Sequence, residues 1–367
     1  MDIYQLSKFT DPKLLDEMIQ AWLNIEGPIV KSVSAKPAGF EFLSNGESNN
    51  AFFLELQVEL YPQFFGVVPA ELVLKAGRNV AGTAEREMQF FQLQAGNDEL
   101  AGLVRCYGVR WLDAEDIGLL LLEKISGELI SYHGPVEAHL PQYKNAVKVL
   151  ASLHARWWDH PDLGSGEFAF QWTDEFLTAI MPLAISAYQD KIESSVEQWS
   201  VAERKLFAML LPDLQALLLR HIDDGGPMCV GHGDAALWNF LLAEDETVPA
   251  RLVDFQMWSV FPPAWDFAYM VVLLWPTDFR ELYGEDMIDI YLHALESNGI
   301  SYSPVEFLED LRVSIAALIG LTLVNWQLDN WSEAESKERL RWVLAAFRYY
   351  DCALLFELLP TDGGRKK

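Results

Sequence analysis

The chain is poor in the residues that mark several large classes of protein. It has 3 cysteines among 367 residues. Cys106, Cys229 and Cys352 are odd in number and far apart, which excludes a disulfide framework and a zinc-binding cysteine set and fits reduced thiols in a cytoplasm. Long apolar runs are missing too. The longest, 267–275 and 315–324, fall well short of a bilayer-spanning helix, and the N-terminal stretch carries early acidic residues and no apolar signal core, so neither a membrane span nor an export signal is expected. Positive charge is scarce: 27 Lys and Arg stand against 54 Asp and Glu, for a net charge of -27. The only basic cluster is the terminal Arg365-Lys366-Lys367, which argues against a nucleic-acid partner or an anionic membrane surface. A solvated acidic surface accounts for that balance, and so would a cationic substrate or a saline habitat. No G-x-x-x-x-G-K-[ST] and no G-x-G-x-x-G occurs, so the two glycine-rich phosphate loops are absent as well.

What is present is a packed globular sequence, 51% hydrophobic and 13% aromatic, long enough for a large core or for two lobes. Asp11 and Pro12 read as a helix cap and first helical residue, and Leu14, Leu15, Met18, Ile19, Trp22 and Leu23 follow at helical spacing. Residues 53–60 alternate, with Leu54, Leu56, Val58 and Leu60 on one face and Glu55, Gln57 and Glu59 on the other, the pattern of a half-buried strand. A second strand covers 71–75, a helix 84–94, and two more strands 105–111 and 117–123 flank an acidic turn. Beyond Glu123 the pattern is helical over 141–158, 175–192, 201–221, 287–297 and, with breaks, 304–359; the only later strand signals are 239–242 and 251–254. The expected fold is α+β with two lobes: a small β-rich lobe with an N-terminal helix over 1–125, and a larger, mainly helical lobe over 126–367.

Chemistry concentrates in His232-Gly233-Asp234-Ala235-Ala236-Leu237-Trp238-Asn239 and in Leu252-Val253-Asp254-Phe255-Gln256. The first is H-x-D-x-x-x-x-N, and an Asp-Phe pair follows about fifteen residues after the Asn, a spacing that serves phosphoryl transfer. A carboxylate at Asp234 can orient a substrate hydroxyl and take its proton late. Asn239 supplies a neutral oxygen and Asp254 a charged one, hard donors that suit Mg2+ and not zinc. His232 reads as a brace for the loop, and Asp266, in an apolar setting, as a second structural support. The competing reading makes Asp234 and Asn239 turn residues and Asp254 a strand-end cap.

A nucleotide-using enzyme also needs a cation on the phosphates and a carboxylate to hold that cation. Lys75 ends an apolar strand, and the expected partner is Glu87, with Glu85 the runner-up; taken alone, Lys75 would be a snorkelling edge lysine. Ser44, Asn45 and Gly46 open the only candidate for a phosphate-covering turn, which also reads as an ordinary hairpin turn. Glu123 ends the strand expected to lead into an adenine-reading connection. Asp266 and these residues complete the candidate set, with ATP and Mg2+ as the cofactors and a small-molecule hydroxyl as the acceptor.

These motifs, with Leu150-Ala151-Ser152-Leu153-His154-Ala155, resemble the aminoglycoside phosphotransferase and choline kinase superfamily, and the Asp254-Phe255-Gln256 triplet is most similar to its ecdysteroid-kinase-like branch. That branch has a Trp two residues after the catalytic Asp, where this chain has Ala236. The resemblance implies a bilobal protein-kinase-like fold and ATP-dependent phosphorylation of a small-molecule hydroxyl. Carried over by position, Asp234 is the base, Asn239 and Asp254 hold magnesium, and Lys75 holds phosphates. A sterol-like alcohol, an amino alcohol such as choline and an aminoglycoside-like sugar all remain open as acceptors. Trp258, Trp265, Trp275, Trp326 and Trp331 could stack on a ring or simply fill the core. Two other functions stay open: a catalytically silent kinase-like ligand-binding protein, and an unrelated hydrolase or transferase using Asp and His.

Overall fold

A computed structural model describes residues 9, 11–38, 51–94, 102–125, 128–129, 139–168, 171–195, 197–242, 248 and 250–357. The chain divides into two compact units, Met1–His133 with Leu237–Trp258, and Gly134–Ala236 with Ser259–Lys367.

The first unit is built on an antiparallel sheet. Its strands are β1 (Val30–Pro37), β2 (Ala51–Leu60), β3 (Glu71–Arg78), β4 (Cys106–Leu112) and β5 (Ile117–Glu123), in the order β1-β2-β3-β5-β4. Strand parity decides what each face does. Leu54, Leu56, Leu72, Leu74, Leu119 and Leu121 point to one face, where they bury against Leu15, Met18 and Ile19 of helix α1 (Pro12–Leu23). Asp11 caps that helix by accepting the amide of Lys13, as its sequence foretells. Helix α2 (Thr83–Gln94) packs on β3, β4 and β5, and buries Ala84, Glu87, Met88, Phe90 and Phe91. Two glycines let the helices approach this closely: a Cβ on Gly118 would stand 2.7 Å from Met88 Sδ, and one on Gly108 would stand 2.8 Å from Met18 Cβ. The segment returning from the C-terminal half adds β8 (Phe240–Leu242) and β9 (Arg251–Leu252), which pair antiparallel, with β6 (Glu128–Leu129) on the other side of β8.

The second unit is mainly helical: α3 (Leu140–Arg156), α4 (Asp174–Ala187), α5 (Val201–Asp223), the short α6 (Ala264–Ala268), α7 (Thr277–Ser297), α8 (Pro304–Gln327), α9 (Glu333–Tyr349) and α10 (Leu354–Glu357). Serines 200, 303 and 332 close capping boxes at the starts of α5, α8 and α9. α8 is the central helix, packing on α4, α5, α6 and α9, and buries apolar residues all round. A two-stranded ribbon of β7 (Cys229–Gly231) and β10 (Ser259–Phe261) completes the unit. The α+β architecture is thus the one expected. Five of these elements went unread in the sequence: β6, β7 and β10, each two or three residues long, the five-residue α6, and the exposed edge strand β1. α7 also starts ten residues before the expected helix over 287–297. No described helix is long and apolar enough to cross a membrane.

Candidate active site

In the first unit the site grows from strand parity. Lys75 lies opposite Phe53 and Leu120 on the sheet, pointing away from the leucine face and towards α2. It is only 3% exposed. Its ammonium donates to Glu87 at 2.8 Å and to Asp254 Oδ1 at 2.6 Å. The runner-up acid, Glu85, instead uses its backbone amide to donate to Asn79 Oδ1 at the start of α2. Burial pushes the Lys75 pKa down, but Asp254 and Glu87 outweigh it and hold the ammonium above the usual lysine value. Burial likewise raises the pKa of Glu87, against the pull of Lys75 and of a hydrogen bond from Gln256.

The hairpin β8–β9 explains how Asp254 and Asn239 are placed. Phe240 pairs with Leu252, and one step outward the amide of Val253 donates to Asn239 O at 2.9 Å, so the two residues flank the open end of one ladder. Asp254 then adopts a left-handed backbone, φ 67° and ψ 61°, a costly conformation for a residue other than glycine and one that Asp and Asn tolerate best. The next residues anchor it. Phe255 stacks on Phe90 with centroids 3.6 Å apart, and Trp258 Nε1 donates to Arg86 O at 2.6 Å, so α2 positions both Glu87 and the Asp254 turn. The Asp254 side chain is 40% exposed, whereas Asn239 is buried. Glu123, at the end of β5, accepts the Arg105 amide at 2.9 Å. Ser44, Asn45 and Gly46 lie outside the described residues.

In the second unit, β7 runs into the loop holding His232 and Asp234. Asp266, buried on α6, accepts the backbone amides of His232 at 2.5 Å and Gly233 at 2.9 Å. His154 on α3 reaches the same carboxylate at 3.1 Å through Nε2, while its Nδ1 lies 2.7 Å from the Tyr291 hydroxyl, which donates to Pro263 O. Burial alone would raise the pKa of Asp266; His154 and the His232 backbone lower it below the usual carboxylate value. His232 is buried, and its Nδ1 accepts the Asp234 amide at 3.3 Å. Gly233 takes φ 80°, which keeps the turn short and presents Asp234 partly exposed.

Three contacts escaped the sequence reading. Gln256 holds Glu87. His154, on a helix that the sequence does show, supports Asp266. Tyr269, on the π-helical turn Tyr269–Leu273 that continues α6, hydrogen-bonds the Asp234 carboxylate. The helical spacing of Asp266 and Tyr269 was the available signal, since it sets both on one face. Of the five tryptophans considered for an acceptor pocket, Trp258, Trp265, Trp275 and Trp326 are core residues, and only Trp331 is partly exposed.

Among the described residues no cluster of three His, Cys, Asp or Glu forms a metal cage. An Asn-Asp oxygen pair still fits magnesium, which keeps several waters and draws further ligands from phosphates.

Comparison with known proteins places the chain in a family. A family model described as the phosphotransferase enzyme family matches residues 39–306. No curated protein matches the sequence. Among solved structures, a protein assigned as an aminoglycoside phosphotransferase from Ralstonia eutropha JMP134 aligns with a TM-score of 0.55 at 17% identity, covering 93% of this chain and 98% of its own. The GDP complex of aminoglycoside 2'-phosphotransferase-IIIa aligns at 0.51 and 12% identity, covering 92% and 99%, and an ethanolamine kinase from Plasmodium vivax at 0.51 and 10%, covering 97% and 90%. These likenesses establish a kinase-like fold. The family match spans Lys75, Asp234, Asn239, Asp254 and Asp266 and well over half of the sequence, and on that ground the chain belongs to the phosphotransferase enzyme family.

Proposed function

We propose that the protein transfers the γ-phosphoryl group of ATP to a hydroxyl of a small molecule in a magnesium-dependent reaction. The observation that carries the reading is Lys75, a buried lysine between two carboxylates, one of which sits on a left-handed turn with its side chain partly open to solvent. As a purely structural device this trio is poor, because a buried ion cluster seldom stabilises more than apolar packing would. As a device for phosphates it has a use for every member. Lys75 gives the α- and β-phosphates a cation, Glu87 fixes its position, and Asn239 and Asp254 offer oxygens to magnesium. Bound there, the ion would neutralise phosphate charge during transfer. Asp234 orients the acceptor hydroxyl and accepts its proton as the oxygen attacks phosphorus; the Tyr269 hydroxyl and the His232 ring fix the position of that carboxylate and its backbone. Asp266 stays ionised and locks the loop through two amides, which makes it a positioning residue. Glu123, and Ser44 to Gly46 over the phosphates, complete the proposed nucleotide site.

The Asp254-Phe255-Gln256 triplet is the ground for placing the chain near the ecdysteroid-kinase-like branch, and its three free, buried thiols are in keeping with a reducing cytoplasm. The test is ADP release with ATP, magnesium and a panel of hydroxylated metabolites. Asp234→Asn should abolish turnover while leaving magnesium-dependent thermal stabilisation by ATP nearly intact. Near-normal turnover by that variant would show that the base is wrongly assigned. ATP stabilisation with no ADP release from any acceptor would identify a silent binding protein.

A further inference from the structure

The surroundings of Asp234 within the helical unit also bear on what the acceptor is. Tyr269, whose hydroxyl bonds Asp234, lies on the π turn against which α9 packs. α9 brings Arg339 within electrostatic reach of that hydroxyl. Arg339 is partly exposed, and its guanidinium carbon lies 4.1 Å from the ring centroid of Trp331, the one candidate tryptophan outside the core. Glu335, one turn earlier on the same helix, spends its carboxylate on Ser332, accepting the hydroxyl at 2.6 Å and the amide at 2.9 Å, and also feels the Arg339 charge.

This arrangement is not suited to a cationic acceptor. An ammonium drawn towards Asp234 would meet a permanent positive charge one tyrosine away. An indole ring offers a guanidinium no oxygen acceptor, so packing on it leaves N–H donors to spend, and a guanidinium fork is suited to gripping a carboxylate through two parallel hydrogen bonds. The fork is also pre-organised, because the ring already restricts the long side chain. A singly charged carboxylate fits better than a phosphate, since Asp234, Glu335 and a chain of net charge -27 oppose a second negative charge.

We infer that the acceptor is a compact hydroxy acid, its hydroxyl presented to Asp234 and its carboxylate gripped by Arg339 on the Trp331 platform. The inference rests on the phosphotransfer proposed above. It is tested with the full-length protein, magnesium and ATP, measuring ADP release for short hydroxy carboxylates, their primary amides, and the amino alcohols choline and ethanolamine. The expected result is turnover of hydroxy carboxylates, with kcat/KM well above that of the matched amides. Arg339→Gln should cut that preference by about tenfold to a hundredfold, the cost of one charge-assisted contact, chiefly through KM. Arg339→Lys, which keeps the charge and loses the fork, should retain part of it. The inference is overturned if amides or amino alcohols are used as well as the acids, if Arg339→Gln leaves the preference intact, or if no hydroxy acid is turned over. Turnover confined to cationic or neutral alcohols defeats this inference alone, whereas no turnover with any alcohol defeats the phosphotransfer reading with it.

Discussion

Lys75 shows how much one residue can depend on others. It is buried, charged and satisfied only because Glu87 and Asp254 converge on it. Removing Glu87 leaves that charge with half its compensation. Glu87→Ala should therefore cost about 3–5 kcal/mol in urea unfolding, as breaking a buried pair does, while Glu87→Gln, which keeps an acceptor, should cost less. At this scale the sequence was legible wherever chemistry runs along the chain. His232, Asp234 and Asn239 announce themselves by spacing, and Asp254 by the aromatic that follows it. It was illegible where partners come from far away. Nothing near Gln256 in the sequence hints at Glu87, and nothing near Arg339 hints at Tyr269, because packing alone brings each pair within reach.

Elements carry the next set of consequences. α1 docks on β4 across Gly108, where a side chain would press on the backbone of Met18 as well as its Cβ. Gly108→Ala should force the helix off the sheet and lower stability by about 1–3 kcal/mol, read from urea midpoints at unchanged slope. A second junction joins α5 to α8, where His221 Nε2 lies 3.4 Å from Asp310 and the Tyr302 hydroxyl donates to the same carboxylate. Burial raises the Asp310 pKa from 3.8 to about 7. A folded-state value above the unfolded one means a proton is taken up on folding, so the Asp310 contribution makes stability fall as pH rises between those two values, against a rising contribution from His221, whose pKa burial lowers from 6.5 to about 4. Asp310→Asn should remove the falling contribution, so that the variant gains stability relative to the parent as pH rises, and melts between pH 4 and pH 8 will show whether it does. Elements were legible when they were long enough for an apolar run or stripe to show. β1 buries only Val30, and the first half of α7 places Arg280 and Gly284 on its buried side, so neither offers an apolar stripe to count. β7 and β10 are too short and too fully buried for alternation to appear.

The whole molecule carries a net charge of -27, and self-repulsion on that scale opposes the compact state. The melting temperature should climb as sodium chloride rises from about 20 to 200 mM, with most of the gain at the low end where the Debye length contracts fastest. A temperature independent of salt would mean the acids are neutralised locally. That the chain would form a sheet-rich half and a helical half was plain from its order of patterns. What linear reading could not show is that 237–258 belongs with the sheet-rich unit.

That return of the chain has a consequence for synthesis. Lys75 and Asp254 are 179 residues apart. A ribosome adding about 5–20 residues per second needs roughly ten to forty seconds to pass from one to the other. Throughout that interval the nascent sheet has its lysine and lacks one of the lysine's two counter-charges, and for most of it β8 and β9 do not yet exist. The half that is translated first is therefore finished late, and any pause of the ribosome between these codons prolongs the exposure of an incomplete domain to chaperones and proteases.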